Sequence, residues 1–287
     1  MRTSLSLLTL VLLLAACGTG KPRVVYLARH GQTEWNRISR AQGDPDLDAV
    51  GYLNRFSLWR LLKKQPLQAI YSSERQRTWR TAELLARQHH LKVQRRAALN
   101  EIGLGVFEGM CWSWLDPGRA TEMSRRCEVP ARGSSFESER VQAQRVFQAV
   151  KRKGWPSARP PLGESYADTF ASTRTFVDEL DRGLQDREIL IVGHGVVNSA
   201  LVHHFMGWPM SASPPLKQEN DQVFRFEFGA HSVRMMLYTP GAGWKVCQAS
   251  PPAPGVRKLD CYQSAPTPAP APAPTSTPAS VPANRPH

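Results

Sequence analysis

The chain has 287 residues, a formal net charge of +13, 41% hydrophobic residues and 23 prolines. That length suits one large domain or two small ones, and the polarity excludes a multi-span membrane protein and a coiled coil. Eight Trp, six Tyr and ten Phe can fill a core, which excludes wholesale disorder.

The basic balance suits an anionic partner, either a phosphorylated substrate or a membrane surface, unless it reflects only a bias toward Arg. No block of five like charges marks a nucleic-acid-binding arm, so no nucleic-acid partner is expected.

In chain order, residues 1–16 carry one Arg, a short apolar run and then small residues. The run is shorter than the roughly 20 residues of a spanning helix and fits a secretory signal peptide. Leu14-Ala15-Ala16-Cys17 resembles the lipobox of bacterial lipoproteins. The resemblance implies cleavage before Cys17, acylation of that cysteine and a membrane partner held through it. Residues 17–23 become a short lipid tether. Gly18 in the next position resembles an outer-membrane sorting signal in a Gram-negative cell, so the expected location is the cell envelope, facing the periplasm.

Arg23–Ala28 is a continuous apolar run ending in Arg29-His30-Gly31, which reads as a buried parallel strand entering a tight turn. Gly51–Lys64 has apolar residues at helical spacing. Ala69–Tyr71 is a second strand, Arg77–His89 a helix, and Lys92-Val93 begins an edge strand. Residues 110–161 are polar and Arg-rich, with a helical stretch at Val141–Val150, and read as a cap inserted over the core. Thr169–Leu184 is a helix. Glu188–Val192 is a buried strand ending in Gly193-His194-Gly195, and Val196–Met206 is a helix. Val223–Phe228 and Val233–Leu237 alternate as an antiparallel pair. Strands alternating with helices predict an α/β three-layer sandwich with a mostly parallel central sheet and helices on both faces. The domain is expected over residues 24–250. Residues 251–287 are rich in Pro and Ala and read as a disordered tail, extended from about Ser264 onward.

The chemistry starts from His30 and His194. Each directly follows a buried strand and precedes Gly, and ligands of open α/β sheets bind beyond the carboxyl ends of strands. Arg29 adjoins His30, and Arg77 opens the helix after Ser72-Ser73. Paired guanidinium donors match phosphoryl oxygens. There is no P-loop lysine motif and no Cys/His spacing for a metal site. His89, His90, His203, His204 and His231 have no partner signal and read as ordinary helix or turn residues.

Leu27-Ala28-Arg29-His30-Gly31-Gln32-Thr33-Glu34-Trp35-Asn36 resembles the signature of the histidine phosphatase superfamily, the phosphoglycerate-mutase-like proteins. Gln42-Gly43-Asp44, Tyr71-Ser72-Ser73 with Arg77, the Leu99–Gly109 loop, Gly163-Glu164-Ser165 and Val192-Gly193-His194-Gly195 resemble its other segments in order. The resemblance implies His30 as a nucleophile that becomes phosphohistidine. It implies Arg29, Arg77, His194 and Asn36 as phosphoryl-binding groups, and Glu101 as the proton donor. Glu108, in the same loop, is the rival donor. No metal or cofactor is implied. The expected reaction is phosphomonoester hydrolysis of a phosphorylated small molecule. The alternatives are phosphoglycerate-mutase-type transfer, or a non-catalytic phosphate-binding envelope protein. Glu74-Arg75 and Trp79-Arg80 depart from the family pattern and bear on specificity.

Export favours disulfides. Of three possible connectivities, proximity in the chain selects Cys111–Cys127 and Cys247–Cys261.

Overall fold

The computed structural model describes residues 23–117, 127, 136–182, 188–253 and 255–263. The expected signal peptide at 1–16, Cys17 with most of the expected tether and the expected tail from 264 lie outside the described residues. Strand β1 is Arg23–Arg29, β2 Ala69–Ser72, β3 Val93–Arg95 and β4 Glu188–Gly193. β5 is Val223–Phe228, β6 Val233–Thr239, β7 Gly243–Cys247 and β8 Cys261–Tyr262. They form one eight-stranded sheet in the order β3-β2-β4-β1-β5-β6-β7-β8. β3, β2, β4 and β1 pair in parallel, whereas β5 to β8 continue the sheet antiparallel. The α/β sandwich is as expected. The antiparallel half, however, is longer than the single hairpin the sequence suggested.

β1 and β4 sit at the centre, buried on both faces, which is why each reads as an unbroken apolar run. Helix α2 (Ala49–Leu62) and helix α3 (Gln76–Gln88) cover one face. Leu58, Leu62, Ala82 and Leu85 pack there on Tyr26, Ile70, Leu190 and Val192. Helix α6 (Tyr166–Arg182) and helix α7 (Gly195–Met206) cover the other face, where Phe176, Leu180, Val197 and Leu201 meet Leu27, Ile191 and Phe226. Each such fully buried side chain contributes about 1.5–3 kcal/mol of transfer free energy. The short helix α1 is Glu34–Arg37, between β1 and α2.

The excursion between β3 and α6 carries helix α4 (Trp112–Leu115) and helix α5 (Phe136–Arg152). Phe147 lies edge-on to Phe107 and Trp112, and Lys151 pairs with Asp116 at 2.9 Å. Trp114 packs against Ile38, Cys111 and Cys127. Both tryptophans thus pack within or beneath the cap.

Both expected disulfides form, Cys111–Cys127 and Cys247–Cys261. The second ties β7 to β8 and corrects the domain boundary. Lys217 N–H donates to Arg257 O and Arg257 Nε to Pro215 O, each at 2.8 Å, so the fold runs on to Gln263 rather than stopping at 250. No helix among the described residues is long and apolar enough to cross a membrane.

Candidate active site

β1 and β4 pair in register with Arg29 opposite Gly193, so the next residues, His30 and His194, emerge side by side. His30 N–H donates to Gly193 O at 3.0 Å, and the two imidazole centroids lie 5.2 Å apart. Both rings are buried. His30 Nδ1 lies 2.8 Å from Gly31 O. A carbonyl can only accept, so Nδ1 carries the proton and Nε2 keeps its lone pair. Burial, followed by the fields of Arg77 and Arg29, pushes the His30 pKa well below the usual imidazole value. Burial does the same to His194, reinforced by Arg77, His30 and Arg29. Both rings are therefore neutral at pH 7.

The tight turn after β1 has a steric reason. A Cβ on Gly31 would sit 2.5 Å from Gly51 O, and one on Gly51 would sit 2.1 Å from Gln32 O. The histidine loop and the start of α2 touch backbone to backbone, which only glycine permits.

Arg77 is 1% exposed, although its helix is a surface helix. Its NH1 donates to Gly43 O at 2.6 Å, and Asp44 lies 3.8 Å away. Burial outweighs Glu101 and Asp44 and lowers its pKa to about 10, so it stays charged at neutral pH. Arg29 NH1 donates to Gln218 O at 2.9 Å. Arg29 Nε, Arg77 Nε and His194 Nδ1 are buried without a hydrogen-bond partner. Buried polar nitrogens of this kind cost free energy unless a ligand meets them. Two cations and one imidazole nitrogen around the lone pair of His30 make an anion cradle.

Glu101 lies beside this cradle. A side chain at Gly195 would come within 3.9 Å of Arg29 Nε and 4.0 Å of Glu101 Oε2. Burial raises the Glu101 pKa, against the opposing pull of Arg77, the Ile102 N–H and Arg29. Glu108 stands further out, near Trp35 and Gly43. Both carboxylates line a cavity of about 460 Å³ with Arg75, Asn100, Leu162 and Glu164.

A family model described as the histidine phosphatase superfamily (branch 1) matches residues 25–155 and 131–239. The chain belongs to the histidine phosphatase superfamily. The 6-phosphofructo-2-kinase/fructose-2,6-bisphosphatase of Aquarana catesbeiana is 28% identical over 198 residues, covering 68% of this chain and 35% of that protein. The chain therefore spans about a third of that relative's length. A probable phosphoglycerate mutase of Yersinia enterocolitica is 28% identical over 209 residues, covering 71% of this chain and 84% of the relative. Among solved structures, a mycobacterial glucosyl-3-phosphoglycerate phosphatase complexed with VO3 matches at a TM-score of 0.56 and 26% identity, covering 75% of this chain and 96% of that one.

Within this histidine phosphatase, the motif residues divide by position. Arg29, His30, Arg77, Glu101 and His194 gather at the strand ends. Asn36 completes the capping box of helix α1, whose N-cap is Thr33, its Oδ1 accepting from Thr33 N at 3.1 Å and Thr33 Oγ1 at 3.0 Å. Several supporting residues were not singled out in the sequence. Ser73 Oγ lies 2.8 Å from His194 Nε2, and Arg75 N and Thr78 Oγ1 hold it in turn. Asn220 Nδ2 donates to His30 O at 2.6 Å, and Gln218 Nε2 to Leu27 O at 3.0 Å. Ser73 sits inside a recognised segment and could have been flagged there. Gln218 and Asn220 lie in a loop with no motif. His203 is a satisfied core residue, close to Pro209 O and Ser213 Oγ at 3.1 Å each.

The acid-bearing loop is braced from the cap side. Glu164 N–H donates to Gly103 O at 2.8 Å, and Gly103 N–H donates to Glu164 Oε2 at 2.9 Å. Gly105 has φ +54°, and a Cβ there would lie 2.1 Å from Pro161 O. The Gly163-Glu164 segment thus holds the loop that carries Glu101.

Proposed function

We propose that this protein hydrolyses phosphomonoesters through a phosphohistidine on His30 and is tethered to the cell envelope through Cys17. The observation that carries the catalytic part is the neutral, lone-pair Nε2 of His30 set among partnerless buried nitrogens of Arg29, Arg77 and His194, beside a carboxyl of raised pKa.

In the first step, His30 Nε2 attacks phosphorus and the P–O bond to the leaving group breaks. Glu101, protonated, gives its proton to the departing oxygen. Arg29, Arg77 and the N-terminus of α7 neutralise charge on the phosphoryl oxygens, most strongly in the transition state, and neutral His194 adds a hydrogen bond. In the second step, the Glu101 carboxylate takes a proton from water. The resulting hydroxide attacks phosphorus, the P–N bond breaks, and phosphate leaves. Splitting the transfer this way replaces one difficult displacement by two easier ones. Its place beside Arg29 and Arg77 favours Glu101 over the exposed Glu108 as donor.

The apolar leader and Leu14-Ala15-Ala16-Cys17 support the envelope tether. An exported enzyme lacks the phosphorylated glycolytic acids of the cytosol, which favours hydrolysis over mutase-type transfer. Phosphate release from p-nitrophenyl phosphate by the full chain in detergent, with EDTA present, tests the reaction. We expect His30→Ala to lose at least about 10³-fold. Equal release by that variant contradicts the reading, whereas phosphate retention without turnover favours the binding alternative. Cell fractionation of Cys17→Ala tests the tether, which predicts its loss from the membrane fraction.

A further inference from the structure

Helix α2 differs from its neighbour α3 in what it shows to solvent. The outward side of α3 carries Arg80, Glu83 and Arg87. On α2, the inner side packs Leu58 and Leu62 into the core, yet the outer side is apolar as well. Val50 is 44% exposed, Tyr52 43%, Leu53 65% and Phe56 48%. Four large apolar side chains thus stand exposed along one helix, beside exposed Ser57 and Arg60, and such a grouped patch with a polar rim marks an interaction surface. Phe56 stacks on Trp59 with centroids 5.1 Å apart, and Lys63 Nζ lies 4.4 Å over the Trp59 ring. Residues 49–68 contain no Asp or Glu but do contain Arg55, Arg60, Lys63 and Lys64. Arg55 is committed to Glu83, which leaves the other three cations on or beside the strip. The strip is about 21 Å long at 1.5 Å per residue.

We infer that the outer face of α2 docks on an anionic lipid bilayer, laying the domain side-on against the membrane. The inference rests on the envelope tether proposed above. Two observations select lipid as the occupant. The first is charge: an aromatic-basic strip without carboxylates matches the interface of an acidic bilayer, where the rings enter the headgroup boundary and cations meet lipid phosphates. The second is where the chain emerges. β1 starts at Arg23, level with the carboxyl end of α2. Val24 pairs with Glu188, Gln68 N–H donates to Glu188 O at 2.9 Å, and Tyr26 OH donates to Gln65 Oε1 at 3.2 Å. Cys17 to Arg23 spans at most about 20 Å. An anchor at Cys17 therefore keeps the α2 face within reach of the bilayer.

The test uses the full acylated chain in vesicles of phosphatidylethanolamine and phosphatidylglycerol. An environment-sensitive dye is placed by Leu53→Cys, or by Thr175→Cys on the opposite side of the sheet, and quenched by nitroxide-bearing lipid. Flotation with the vesicles reads the tether, and quenching reads the face. We expect both labelled chains to float, with the dye at 53 quenched at least about threefold more than the dye at 175. Phe56→Asp in the Leu53→Cys background is expected to remove that difference while turnover of p-nitrophenyl phosphate is unchanged. Flotation with equal, weak quenching at both sites overturns the docking and leaves the tether standing. A dry dye at 53 in a chain that dimerises assigns the face to a second copy and also overturns it. Failure to float overturns tether and docking together.

Discussion

The phosphate cradle and the wall of the cavity beside it are built in opposite ways. His30, Arg77 and His194 are at most 1% exposed; the two histidines follow a pair of parallel strands buried on both faces, and Arg77 lies in the first turn of α3. The outer wall comes from loops and the first turns of α6, and Leu162 at its lip is 95% exposed. A rigid frame suits groups that must meet a phosphoryl oxygen within tenths of an ångström. An exposed loop suits groups that meet whatever alcohol the phosphate is attached to. Chemistry and specificity are therefore separable, and substitutions on the two sides should give different kinetic signatures.

The largest effect is expected at His30, where His30→Ala removes the group proposed to bond to phosphorus. Next comes Arg77. Its loss should lower kcat/KM by about 10²–10³-fold, and Arg77→Lys should recover little, because an ammonium cannot present paired planar donors. Steady-state kinetics on one substrate decide this, and a fully active lysine variant would break the cradle account. Glu101→Gln should cost about 10²–10⁴-fold on an alkyl phosphate, whereas on p-nitrophenyl phosphate, whose phenolate leaves without a proton, the first burst of phenolate should survive and only the later turnover, limited by water attack, should slow. The same variant fixes the pH dependence. Burial raises the Glu101 pKa, and in the proposed first step the protonated form is the one required. Activity on alkyl phosphates should then fall as pH rises through that pKa, and the limb should vanish in the Gln variant. His30 imposes no fall at mildly acidic pH, because its own pKa is displaced well below the imidazole value.

Smaller effects mark the other regions. Replacing Cys247 and Cys261 together by Ser opens a 14-residue separation and should cost about 3 kcal/mol of stability with kcat unchanged. Denaturant melts beside an activity assay separate the two. Leu162→Ser, on an exposed site, should leave stability within about 0.5 kcal/mol. It should alter KM only for substrates with bulky leaving groups. A uniform loss of kcat from Leu162→Ser would erase the contrast between frame and wall.

The same contrast explains what could be read from the sequence. β1 and β4 announce themselves because burial on both faces demands continuous apolar runs, and the His-Gly pairs at their ends follow directly. Arg77 and Glu101 were legible through motif segments. Gln218 and Asn220 were not, because they act through main-chain carbonyls in a loop whose sequence carries no period or spacing. β8 is two residues long in a Pro-rich stretch, held by a disulfide and its pairing with β7 rather than by propensity. That is why the domain runs past the expected boundary. Helix starts were also missed by a few residues where side-chain caps decide them. Asp48 accepts from Gly51 N at 2.8 Å to start α2 early, and Ser165 and Asp168 bond reciprocally at the start of α6.

The most direct measurement is to trap the intermediate. The full chain is mixed with substrate, quenched in alkali, where phosphohistidine survives, and digested for mass spectrometry. The account predicts a phosphoryl group on the peptide containing His30, more abundant in Glu101→Gln with p-nitrophenyl phosphate, where formation outpaces water attack. Turnover by the native chain with no phosphoryl group on His30, or with one on another residue, would contradict it.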